Sequence, residues 1–215
     1  MTLGPVYKVE AIVLARKNSG EADRILTIFT KQYGKLRSLA KGIRRLTSRR
    51  APHAEIFSRV TMMLRHSKTN LDLVGEIEAL GNYQNLRKDL HKVSTAYYIC
   101  ELVDRLLPEK QEHRDVYELL KNNLDKLNEL DLTRHSRESG NPSSVKMDSG
   151  SKAGMTMEAE SSLSQLGNQF AIELLRLLGF LRCDKTLKPE ESERYIESLI
   201  ERRLRTPKII RQISK

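Results

Sequence analysis

The stretch RILTIFTKQYGKLRSLAKG, residues 24–42, decides the fold. It is rich in β-branched residues. As a strand, RILTIFT places Ile25, Thr27 and Phe29 on one face and Leu26, Ile28 and Thr30 on the other. Both faces are largely apolar, as a wall buried on two sides requires. KQYGK reads as a hairpin, with Gly34 free to take a positive φ. LRSLAKG then sets Leu36, Ser38 and Ala40 on one side and Arg37, Leu39 and Lys41 on the other.

The flanking sequence follows the same rhythm. VYKVEAIVLAR (6–16) mixes alternation with β-branched residues and ends at the turn-rich KNSGEAD. EIFSRVTMMLRH (55–66) and LDLVGEIEAL (71–80) supply two more strands. Five short strands in residues 1–80, with few helical signals, fit a small closed barrel of the OB type. From residue 82 the period changes. Leu86, Leu90, Val93, Tyr97 and Cys100, widened by Ile99, Val103 and Leu106, form a helical stripe, broken near His91 and ended by Pro108. HRDVYELLKNNLDKLNEL predicts a helix burying Val116, Leu119, Leu120, Leu124 and Leu127. SLSQLGNQFAIELLRLLGFL predicts another, capped by Ser162 or Ser164. It buries Leu166, Phe170, Leu174, Leu177 and Leu178, and stops at Gly179. A last helix starts at Pro189. The expected organisation is an all-β barrel over 1–80 and an all-α domain over 81–215. Residues 131–162, dominated by serine, glycine and small polar residues, read as a flexible insert within the second.

Charge is distributed unevenly. The net charge is +10, yet residues 1–80 carry fifteen basic and seven acidic side chains, and residues 201–215 carry six and one. The middle is balanced. The segment 33–50, YGKLRSLAKGIRRLTSRR, holds seven lysines and arginines and no acid. A solvated face normally intersperses glutamate and aspartate, so this one predicts a polyanion-binding surface. Lys35, Arg37, Lys41, Arg44, Arg45, Arg49 and Arg50 are the candidate phosphate ligands, joined by Arg16, Lys17 and Arg24 from the first two strands. The aromatics of residues 1–80 are few. Phe29 and Phe57 read as core, and Tyr33, beside the hairpin glycine, is the one placed to reach a base. Binding through the backbone, with little sequence preference, is the expectation. At the other end Arg202, Arg203, Arg205, Lys208 and Arg211 exceed what a helix C-terminus needs. They could extend the track or receive an acidic peptide.

Enzymatic readings find little. There is no phosphate-cradling glycine loop. The carboxylates Glu21 and Asp23 lack a second acidic cluster, and Asp23 beside Arg24 suits a turn or an ion pair. The five histidines are scattered singly and read as surface residues. Cys100 and Cys183 are too few for a disulfide framework or a zinc site, which points to a reducing, cytoplasmic compartment and to no metal or cofactor. No apolar run approaches a membrane span, and the N-terminus lacks the pattern of a secretory signal. No catalytic residue is assigned.

The segment AIVLARKNSGEADRILTIFTKQYGKLRSLAKGIRR resembles the RecO family of bacterial DNA repair proteins. The likeness lies in Glu21-x-Asp23 before the second strand, Thr30 and Gly34 at the hairpin, and Ala40, Lys41, Gly42 and Arg44 after it. The closing RRLRTPKIIRQI is similar to the family's C-terminal segment. The resemblance implies an N-terminal OB fold and a helical domain that bind single- and double-stranded DNA and anneal complementary strands. It implies help in loading the RecA recombinase onto strands coated by single-strand-binding protein, in the RecF pathway and near the nucleoid. Its implied partners are RecR, the acidic C-terminal tail of single-strand-binding protein, and RecA indirectly. Many members hold a four-cysteine zinc knuckle. Here LLGFLRCD offers Cys183 alone, so no zinc is expected. An RNA- or ribosome-associated OB protein is the alternative reading.

Overall fold

The computed structural model describes residues 5–67, 71–130 and 151–206, with 151–160 as backbone only. Five strands come first: β1 (Val6–Ser19), β2 (Asp23–Thr30), β3 (Gly34–Ala40), β4 (Arg59–Arg65) and β5 (Asp72–Gly81). They close in the order β1-β2-β3-β5-β4, with β4 returning to β1. All pairings are antiparallel except β3 with β5. This is the five-stranded barrel of the OB fold. The helices come next: α1 (Gln84–Arg87), α2 (Leu90–Leu106), α3 (Arg114–Glu129), α4 (Ser151–Leu177) and α5 (Pro189–Ile200).

The two apolar faces read from β2 fill two different cores. Leu26 and Ile28 join Val9, Ala11 and Val13 inside the barrel. Phe29 points the other way, with Ile12 and Leu14, into a second core built by α2, α3 and α4. Truncating a buried phenylalanine costs about 3–5 kcal/mol. Phe29 therefore couples barrel and helices, and the helices cover one stretch of the barrel's outer wall.

The β1 strand carries a bulge. Val13 pairs with Ile28, but Ala15 pairs with Thr27, so one extra residue enters at Leu14. A bulge inverts the alternation beyond it. The strand read from Glu55 begins only at Arg59. Before it, Ala51–His53 form a 3-10 turn, and Phe57 adopts a left-handed φ of 72°. The chain there is tied to the β1 bulge instead: Phe57 N–H donates to Val13 O (2.8 Å) and Val13 N–H to Ser58 O (3.1 Å). Arg87 of α1 holds the same bend, donating to Ile56 O (2.6 Å) and Ser58 Oγ (3.0 Å).

The first helical stripe needs correction. The chain breaks at Lys88–Asp89, where the Asp89 carboxylate caps α2 by accepting from His91 and Lys92 N–H. The new start turns the helix: Ala96, Ile99, Leu102 and Val103 are buried, while Leu90 and Tyr97 are exposed. In α4, Phe170 and Leu174 are buried as expected, joined by Ala171 and Leu175, whereas Leu177 is exposed. Ser162 and Ser164 lie inside α4 and do not cap it, because the helix starts at Ser151. The segment 151–162 is thus helical where a flexible stretch was expected. Its Lys, Ala, Met and Glu residues are good helix formers despite the small polar residues around them. Residues 131–150 lie outside the described residues. Gly179 (φ 76°) ends the helix as read: Phe180 N–H donates to Leu175 O and Gly179 N–H to Arg176 O, a Schellman closure.

Gly34 is required twice over. Its φ is +67°, and a Cβ there would lie 1.7 Å from the carbonyl oxygen of Gln111, in the α2–α3 connection docked on the hairpin. Gly34→Ala is therefore expected to destabilise by more than the roughly 1–2 kcal/mol of a left-handed backbone alone. Urea unfolding of the variant measures it.

Candidate nucleic-acid interface

Between β3 and the 3-10 turn, residues 41–50 run across the end of the barrel, and both ends of this loop are pinned. At its start Gly42 N–H donates to Asp23 Oδ1 (2.7 Å) and Arg44 N–H to Ala22 O (2.9 Å), while Arg44 Nη1 reaches Gly20 O (3.2 Å). These bonds attach the loop to the β1–β2 turn and give Asp23 the turn role read for it. At its end the Arg50 guanidinium donates to Lys41 O (2.7 Å) and to Val74 O and Gly75 O (both 3.1 Å). The β3–β5 ladder is only two residue pairs long, Ser38–Asp72 and Leu39–Leu73. Arg50 continues that seam where β3 has left it.

Side-chain direction sorts the ten cations. Cross-strand pairing sets three rows on the outer wall: Ile12–Phe29–Lys35, Ala15–Thr27–Arg37 and Lys17–Ile25–Leu39. The first row lies under the helices. Lys35 is buried there, its ammonium donating to Asp104 O and lying 3.4 Å from Asp104 Oδ1. It joins barrel to α2 and is no phosphate ligand. The other two rows are uncovered, and Arg37 and Lys17 are exposed on them. Lys41, Arg44, Arg45 and Arg49 are exposed on the pinned loop. Among the described residues, Lys17, Arg37, Lys41, Arg45 and Arg49 form no ion pair.

Arg16 and Arg24 do not belong to this face. Past the bulge, Arg16 pairs with Leu26 and so shares the parity of the barrel interior, as Arg24 does. Glu55 meets both at the barrel end, 3.6 Å from Arg24 and closer still to Arg16. Arg50, occupied by three carbonyls, is a structural clamp. The sequence could not disclose these losses, because Glu55 and Asp104 come from distant segments and the bulge shows only in the pairing of β1 with β2. What remains exposed is Lys17 and Arg37 on the outer wall and Lys41, Arg44, Arg45 and Arg49 on the pinned loop.

The helical half holds a second feature. A cavity of about 430 Å³ is lined by Arg105, Leu106, Phe180, Leu199, Ile200, Glu201 and Arg202. Of the predicted C-terminal cations, Arg202 lines it, and Arg203 and Arg205 are exposed. Lys208 and Arg211 lie outside the described residues. Glu101 of α2 fixes the approach, its carboxylate accepting from Arg205 N–H (2.9 Å) and Thr206 N–H (2.8 Å). Cys183 is exposed and Cys100 is buried, its thiol pKa pushed up by burial. Among the described residues no three His, Cys, Asp or Glu side chains gather as metal ligands, and no helix is long and apolar enough to cross a membrane. His66 is no solitary surface residue: it stacks on Tyr7 and pairs with Asp72.

Two family models match the chain, Recombination protein O N terminal over residues 1–83 and Recombination protein O C terminal over residues 87–138. The chain is 41% identical over 131 residues to the DNA repair protein RecO of Roseiflexus sp. (strain RS-1), a match covering 60% of this chain and 46% of that one. It is 38% identical over 115 residues to the protein of that name from Symbiobacterium thermophilum, covering 54% and 45%. With that from Dehalococcoides mccartyi it is 32% identical over 133 residues, covering 62% and 51%. The chain thus spans about half the length of the curated relatives it matches.

The two kinds of cation separate in one experiment. Lys35→Met is expected to change unfolding free energy while elution from a heparin column stays where it was. Arg49→Glu is expected to elute at lower salt with its stability within about 0.5 kcal/mol of the parent. Equal elution shifts for both would contradict the assignment.

Proposed function

Because this chain belongs to the RecO family, we propose that its barrel grips DNA by the backbone in repair and recombination, without making or breaking a bond. The observation that carries this reading is the acid-free loop 41–50, pinned at both ends, with Lys41, Arg45 and Arg49 turned to solvent beside Arg37 and Lys17. Cations held on a fixed frame neutralise phosphates and release counterions without reading sequence. Such a surface serves single and double strands alike. Annealing needs two strands held close against their mutual repulsion while their bases stay free, and a backbone-gripping face meets both conditions.

On the same reading the helical half recruits partners. The cavity beside Arg105 and Arg202 joins two cations, of which Arg105 also faces Glu101, and the acidic Glu201 to the apolar Phe180, Leu199 and Ile200. That chemistry suits an acidic peptide with apolar residues, such as the C-terminal tail of single-strand-binding protein. With RecR as co-worker, the chain would bring annealing and RecA loading to strands already coated by single-strand-binding protein.

The triple variant Arg37→Glu, Arg45→Glu, Arg49→Glu spares Lys35, Arg44 and Arg50, and so leaves the barrel seam and the loop anchors in place. It is expected to lose retention of single-stranded and duplex DNA in anisotropy titrations. Replacing the three by alanine should flatten the slope of log K against log salt by about 2–3 units, since each contact contributes roughly 0.7–0.9. Unchanged binding would remove this face from consideration. A stronger preference for structured RNA over both DNAs would favour a role in translation.

A further inference from the structure

At the opposite end of β3 from the basic loop, three rings meet at the other mouth of the barrel. Tyr7 has the parity of the barrel interior and packs on its core. Tyr33, in the β2–β3 turn, meets it edge-on at 5.2 Å, and His66, just past β4, stacks on it at 4.6 Å with 30° between planes. One carboxylate orients two of the rings. Asp72 Oδ2 accepts from the Tyr7 hydroxyl at 2.5 Å, and Asp72 Oδ1 lies 3.0 Å from His66 Nδ1. Tyr33 is placed from its backbone, its N–H donating to Thr30 Oγ1 at 3.0 Å.

If these rings served only to plug the barrel, their outer faces would be buried. Tyr7 is partly buried against the barrel core. Tyr33 is 47% exposed, and the His66 side chain is 57% exposed. The cluster therefore shows water two rings held in fixed orientation. It is also bordered by charge of the right sign. Lys8 follows Tyr7 along β1 and Arg65 precedes His66 along β4; neither forms an ion pair among the described residues. Lys41 lies eight residues along the chain from Tyr33, roughly 25–27 Å at strand rise, with the helix-covered Lys35 and the exposed Arg37 between them.

We propose that the Tyr7–Tyr33–His66 cluster is a stacking site for an unpaired nucleobase, Tyr33 and His66 presenting the contact faces and Tyr7 the fixed base beneath them. This deepens the nucleic-acid reading of the barrel and rests on it. A single strand gripped by its phosphates on the barrel would deliver a base to the rings. A paired base has both faces covered by its neighbours and cannot be taken up in this way. The site therefore separates single strand from duplex, which the cationic loop by itself does not do.

The test compares oligothymidylate of about twelve nucleotides, within the span of one OB fold, with an abasic oligomer of equal length and charge. Both are titrated against the full chain at one salt concentration. The parent protein is expected to bind the base-bearing strand at least about fivefold more tightly. Tyr33→Ala and His66→Ala should each reduce that preference while leaving affinity for the abasic strand unchanged, and Tyr33→Phe should keep it. Equal binding of both oligomers by the parent overturns the stacking site and leaves the backbone-binding face standing. Binding of neither overturns the stacking site together with the nucleic-acid reading beneath it. A preference that survives both alanine variants overturns the placement of the site. The comparison on the parent chain needs no variant, so a substitution that failed to fold would not shield the proposal.

Discussion

The barrel closes on a seam of two residue pairs. Parallel β3 and β5 touch only at Ser38–Asp72 and Leu39–Leu73, and a ring of strands is as secure as its shortest ladder. The Arg50 guanidinium takes over where the ladder ends, bridging Lys41 O to Val74 O and Gly75 O. Its planar fork of donors meets three carbonyls that an ammonium could not reach together. One cation of the basic segment thus holds the frame on which the others are displayed. The same connection brings the loop back across the barrel end, where Asp23 and Ala22 receive its beginning.

Closure also divides the outer wall. With Leu26 and Ile28 committed to the interior, Phe29, Ile12 and Leu14 must find a second partner, and α2, α3 and α4 provide it. The docked helices reach as far along β3 as Lys35 and stop. Beyond that point the wall mixes Arg37, Lys17 and Thr27 with Ala15, Ile25 and Leu39. The boundary between covered and open wall falls between Lys35 and Arg37, two residues that a strand places on the same face. No rule based on residue type separates them; the position of Asp104 does.

Much of this was legible in the sequence. The two apolar faces of RILTIFT foretold a wall packed on both sides, and Gly34 marked the hairpin. Five short strands ahead of a run of helical periods announced a barrel and then a helical domain. Local pattern sufficed because each signal depended on residues near in the chain. Most of the misreadings arose where pairing across the barrel intervened. The bulge at Leu14 gave Arg16 the interior parity and turned Lys17 outward, and Phe57 left the strand pattern for a left-handed bend secured by β1 and Arg87; the restart of the helix at Asp89 is a local cap that the apolar stripe overran. Five of the ten candidate cations, Lys35, Arg50, Arg16, Arg24 and Arg44, have partners far along the chain or across the barrel. His66 passed as an ordinary surface histidine because Tyr7 and Asp72 lie in other strands.

The anchoring of residues 41–50 bears on how this surface meets a ligand. A free cationic loop must surrender backbone freedom on association, at roughly 1–2 kcal/mol for each residue fixed. Here Gly42, Arg44 and Arg50 are already tied to the barrel. Encounter therefore resembles two solid bodies meeting, with side-chain ends alone left to settle. The amides of the loop should consequently exchange with solvent deuterium at nearly the same rate before and after a polyanion arrives.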